Sequence, residues 1–112
     1  PHGMSVALNA PAVFRFTAPA NPERHMRIAS IMGAQTTGAT LEDAGELLAE
    51  MLVVLLKNIG MPNGLSEVGY TEEDVGVLVE GTLPQHRVTK LSPRPASADD
   101  LRNMFLDSMN LW

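Results

Sequence analysis

Three histidines are the side chains here best suited to metal binding or proton transfer near neutral pH, and each stands in a different setting. His2 lies between Pro1 and Gly3, at the mouth of an apolar helical pattern. His25 and His86 each adjoin an arginine, Arg24 and Arg87, in polar surroundings that read as solvated surface. His2 has two readings: a structural residue at a helix start, or a metal ligand. No second ligand stands one helical turn away, because positions 5 and 6 are Ser5 and Val6. A tight metal site takes several protein ligands, so as a ligand His2 would need partners from outside this stretch of chain. A chain opening on Pro1-His2-Gly3-Met4 therefore reads as a piece of a larger polypeptide.

Other constellations give less. Asp99-Asp100 and Glu72-Glu73-Asp74 sit where helices should begin, and acids there complement the helix dipole rather than forming a catalytic pair. Gly3, Gly33, Gly38 and Gly45 follow no strand and make no phosphate cradle. No serine lies in a nucleophile elbow. Arg87, Lys90 and Arg94 form a loose basic group in a chain of net charge −5, too sparse to track a phosphate backbone. With no cysteine there are no disulfides and no thiolate ligands.

The elements that must carry these residues are helical. At 112 residues with 45% hydrophobic and 19% charged residues, the composition is that of a globular piece of one domain. Its interior must be aliphatic and methionine-rich, with seven Met against three Phe, one Tyr and one Trp. From His2 to about Thr17, apolar residues cover most of a helical circumference, which predicts burial on most sides and a bend at Pro11. Asn21-Pro22-Glu23 restarts a helix that runs to about Met32, before Gly33. Thr40 and Asp43 form a capping box at the head of the longest helix, with Leu41, Ala44, Leu48, Met51, Leu52, Leu55 and Ile59 expected on its inner face.

Leu65, Val68 and Tyr70 fall in a short connecting turn. A second cap at Thr71–Asp74 opens a helix to about Gly81, and a loop with three prolines follows to Ala96. Ser97–Asp100 opens the last helix, with Leu101, Met104, Phe105 and Met109 on one side. No stretch alternates like a strand, so the fold class is all-α. The longest apolar run, Met51 to Leu56, is too short to cross a bilayer, and the opening residues carry no secretory-signal pattern. A soluble protein is expected, cytoplasmic, or mitochondrial if eukaryotic.

Three segments carry a family resemblance: Pro1-His2-Gly3-Met4-Ser5-Val6, Asn21-Pro22-Glu23-Arg24-His25, and the run Gly81-Thr82-Leu83-Pro84-Gln85-His86-Arg87-Val88-Thr89-Lys90-Leu91-Ser92-Pro93-Arg94-Pro95. They resemble the C-terminal part of the iron-containing (group III) alcohol dehydrogenases, most closely the hydroxyacid–oxoacid transhydrogenase branch. The likeness extends over essentially the whole chain and is most branch-specific from Asp99-Asp100-Leu101 to Trp112. It implies a two-domain parent: an N-terminal α/β domain that binds NAD(P), and an all-helical C-terminal domain, of which residues 1–112 are a portion. In that family one Asp and three His hold Fe(II), or sometimes Zn, and the His of the Pro-His-Gly motif falls on His2. The other ligands and the cofactor loop would precede residue 1, so the piece alone is expected to be inactive and to bind no cofactor.

By the same resemblance, the loop at Thr89-Lys90-Leu91-Ser92 either approaches the active-site cleft or serves as a packed connector. Lys90 or Arg87 would suit a carboxylate-bearing substrate such as 4-hydroxybutyrate or 2-oxoglutarate, which makes Lys90 and Leu91 the candidate substrate residues. The implied partners are a small alcohol or hydroxy acid and an oxo acid, with neither nucleic acid nor membrane, in a homo-oligomeric parent. Two alternatives stay open: a metal-independent relative of the maleylacetate reductase type, and a stand-alone helical interaction module whose apolar first helix docks a partner.

Overall fold

A computed structural model describes residues 2–85 and 91–112. Among the described residues there are five α-helices, α1 His2–Thr17, α2 Pro22–Ile31, α3 Ala44–Asn58, α4 Val75–Thr82 and α5 Ala98–Asp107, with short 3₁₀ turns and no strand. The cap signals act where the sequence places them. Asn21 accepts a hydrogen bond from the Arg24 amide at the start of α2, with Pro22 as the first helical residue. Ser97 and Asp100 close a reciprocal box at the head of α5. The boxes at Thr40/Asp43 and Thr71/Asp74 each cap a 3₁₀ turn, Leu41–Asp43 and Glu72–Asp74, which then widens into α3 or α4.

Helix α3 packs against α1 on one side and α2 on another, while α5 bridges α1 and α4. The α1–α3 contact is built from small residues. A Cβ placed on Gly45 would stand 2.9 Å from the Ala18 Cβ and 3.3 Å from the Arg15 backbone, so the two backbones approach as closely as side chains allow. Arg15 and Glu46 close the same contact with a two-point ion pair, at 2.9 and 3.2 Å. The inner face of α3 accordingly consists of Ala44, Gly45, Leu48, Ala49 and Leu56. Leu41, Leu55 and Ile59, expected inside, are exposed instead, because close helix approach selects the smaller residues and leaves the larger ones at the rim.

The main apolar cluster joins Leu8, Leu65, Val75 and Met109, with Met4, Met61, Val79 and Phe105 packed against it. Its lid is the C-terminal segment, laid across the turn at Asn63–Ser66. The Leu65 and Ser66 amides donate to the carbonyls of Ser108 and Met109 at 2.8 and 3.0 Å. The Asn63 side chain accepts from the Leu111 and Trp112 amides and donates to the Trp112 carbonyl. Helix α1 runs unbroken through Pro11, which is buried. It is not covered on most sides as expected: Val6 and Val13 are exposed, in an open groove that α4 and α5 border but do not fill.

Candidate metal ligand at the head of the first helix

His2 is the first residue of α1 and is exposed. No acid stands in the first turn of the helix, and no described residue pairs with the imidazole. The helical repeat puts Val6, Asn9 and Val13 on the same side as His2. That side opens into a groove of about 490 Å³ between α1, α4 and α5, where Val6, Val13, Leu78, Met104 and Phe105 supply most of the apolar wall. No group of three His, Asp or Glu side chains among the described residues could hold a metal ion. The donor chemistry therefore fits one ligand position: a solvent-facing imidazole whose ring nitrogens are not committed to a described partner.

Of the basic group, only Arg94 lies among the described residues. Lys90, Arg87 and His86 lie outside the described residues. Leu91 is described and strongly exposed, at 82%. Arg94 is committed elsewhere. Its Nη1 donates to the Phe16 carbonyl at 2.8 Å, and its guanidinium carbon stands 4.2 Å from the centroid of the Phe16 ring. Phe16 is at the opposite end of α1 from His2, roughly 21 Å away at the rise of an α-helix. Arg94 is thus committed to the last turn of α1.

His25 corrects the expectation of a solvated residue. It is buried between the end of α1 and the start of α2, at 7% exposure. Its Nδ1 lies 2.7 Å from the Asn21 carbonyl, which can only accept, so the proton sits on Nδ1. In the neutral ring Nε2 then accepts from the Thr17 hydroxyl at 2.8 Å, and the Phe14 ring meets the imidazole edge-on at 5.9 Å. This histidine is a satisfied joint between two helices. The acids of the first turns are structural too. The Ser97 amide, and then the Ser97 hydroxyl, hold the Asp100 carboxyl below its ordinary range, against the opposing effect of desolvation.

The model of the Fe-containing alcohol dehydrogenase family, C-terminal part, matches residues 1–109. A probable mitochondrial hydroxyacid–oxoacid transhydrogenase of Dictyostelium discoideum is 57% identical over all of this chain, which covers 20% of that protein. The mitochondrial transhydrogenase of Pongo abelii is 52% identical over all of this chain, which covers 24% of it. Among solved structures, an alcohol dehydrogenase from Oenococcus oeni superposes with a TM-score of 0.86 at 30% identity, over 96% of this chain and 28% of that one.

The chain belongs to the iron-containing alcohol dehydrogenase family. It spans about a fifth to a quarter of the length of these transhydrogenases. Its all-α architecture is that of the helical C-terminal portion of its relatives, and no helix among the described residues is long and apolar enough to cross a membrane.

Proposed function

We propose that residues 1–112 are part of the helical, metal-binding domain of an NAD(P)-dependent oxidoreductase that moves hydride between a hydroxy acid or alcohol and an oxo acid, aldehyde or ketone. The observation that carries this is the exposed imidazole of His2 at the head of α1, without a partner among the described residues, in a chain whose family match spans residues 1–109. His2 would lend one ring nitrogen to a divalent cation, Fe(II) or Zn, beside an Asp and two His from preceding chain. That cation would supply a Lewis acid that draws charge from the alcohol or carbonyl oxygen, while the nicotinamide carries the hydride. The second nitrogen of His2 holds the ring proton and needs an acceptor to fix the ring's orientation. Val6, one turn on, presents exposed apolar surface on the same side of the helix.

Lys90 and Leu91 are the proposed substrate-facing pair. A lysine cation pairs with the carboxylate of a hydroxy or oxo acid, and the exposed leucine offers a surface for its aliphatic stem. The names of the relatives support a mitochondrial setting in a eukaryote, with the cytoplasm otherwise, and the assembled enzyme is proposed to be a homo-oligomer.

The test is His2→Ala in the full-length enzyme, read by elemental analysis and by hydride transfer from 4-hydroxybutyrate to 2-oxoglutarate. Loss of a metal ligand should cost more than the roughly 10–100-fold typical of its supporting contacts, in both metal affinity and turnover. Chelation should inactivate the wild type, and Fe(II) or Zn should restore it. A variant that keeps its metal and its turnover refutes the assignment.

A further inference from the structure

Arg94 makes four connections from one short turn. Its guanidinium donates to the Phe16 carbonyl, one of the last acceptors of α1 that the helix itself leaves without a donor. The carbon of the same group stands over the Phe16 ring, 4.2 Å from its centroid. Its main chain is drawn into a tight loop with Ser92: the Ser92 hydroxyl donates to the Arg94 carbonyl at 2.8 Å, and the Arg94 amide reaches the same hydroxyl oxygen at 3.4 Å. Its charge also touches the head of α5, where it is the smallest of the influences that lower Asp100. Leu91 stands three positions before Arg94, so its backbone is tethered within about 10 Å of this anchor.

We infer that Arg94 is a positioning residue, which grips the last turn of α1 and so fixes the turn bearing Leu91 against the helix that begins with His2. This rests on the reading that Leu91 meets substrate. The chemistry suits arginine specifically. A guanidinium can donate from its rim while its face stacks on an aromatic ring, and a lysine can satisfy only one of those contacts at a time.

The experiment compares Arg94→Ala, Arg94→Lys and Phe16→Leu in the full-length enzyme, with KM for the hydroxy acid, kcat, metal content and melting temperature measured for each. Arg94→Ala should raise KM about tenfold while kcat and metal content stay within about twofold, the signature of lost positioning rather than lost chemistry. Arg94→Lys should recover part of that loss. Phe16→Leu should shift KM in the same direction and add little to Arg94→Ala, because both remove the same contact.

An active Arg94→Ala enzyme with unmoved KM overturns the inference alone. So does a fall in kcat and metal content that merely tracks a lower melting temperature. A wild-type enzyme without hydride transfer overturns the functional reading, and the inference with it.

Discussion

Replacing Gly64 by alanine should unfasten the C-terminal segment, through two costs that can be separated. Gly64 adopts φ +79° and ψ −173°, a region essentially closed to residues with a Cβ. Forcing alanine into such a conformation costs on the order of 1–3 kcal/mol. The new methyl would also land 2.6 Å from the Met109 carbonyl carbon and 2.6 Å from the Ser108 oxygen. These are backbone atoms, and the Ser108 oxygen accepts the Leu65 amide, so they cannot swing aside as a side chain could. Overpacking of this kind adds roughly 1–3 kcal/mol. The sum, about 2–6 kcal/mol, is a large share of the roughly 5–15 kcal/mol that holds an ordinary domain together.

Gly69 provides the control. It too has positive φ, +100° with ψ 4°, but a Cβ there would meet nothing within 4 Å. Gly69→Ala should therefore cost only the left-handed penalty, about 1–2 kcal/mol. Urea unfolding followed by circular dichroism measures both losses, and amide exchange at Leu65 and Ser66 reports whether the segment has lifted. Equal losses from the two variants would refute the argument that the carbonyls of Ser108 and Met109 set the cost at Gly64.

Acid should act on the head of α5. The folded value of Asp100 is lowered by Ser97, so its contribution is present above the ordinary carboxylate value and vanishes as pH falls through the folded value. Between about pH 5 and about pH 2 the melting temperature of the wild type should fall more steeply than that of Asp100→Asn; parallel curves would contradict this. At the joint between α1 and α2, Thr17→Val keeps the shape and removes the hydroxyl that His25 Nε2 relies on. It should cost about 1–3 kcal/mol in denaturant unfolding, with Thr17→Ser costing clearly less, and equal losses would mean that the hydroxyl is not the stabilising group.

Local signals were legible and long-range ones were not. Four of the five described helices, α2 to α5, have starts marked by a cap residue, as at Asn21-Pro22 and Ser97-Ala98-Asp99-Asp100, because capping is chemistry between near neighbours. The inner face of α3 was misjudged because hydrophobicity alone ranks Leu55 above Ala49, whereas close helix approach reverses that order. His25 carried an overlooked signal: it lies four residues before the fully buried Ala29, on the side of α2 away from Arg24 and Arg27. The partner of Arg94 lies 78 residues earlier, a pairing that no local pattern can announce. At the candidate site, motif likeness singled out His2, and nothing in this stretch of sequence identifies the ligands that would join it.

The two ends of α1 are mounted differently. Toward Thr17 the helix is seated on Ala18 and Gly45 and pinned by Glu46, His25 and Arg94, a mounting with little slack. Toward His2 it rests on a cushion that includes Met4, Met61 and Met109, whose unbranched thioether chains can reshape with little strain. Were His2 the ligand proposed above, it would ride on a compliant bed at the end of a rigidly bolted rod, and small errors in the arrival of its counterparts would be absorbed beneath the imidazole without disturbing the bolts.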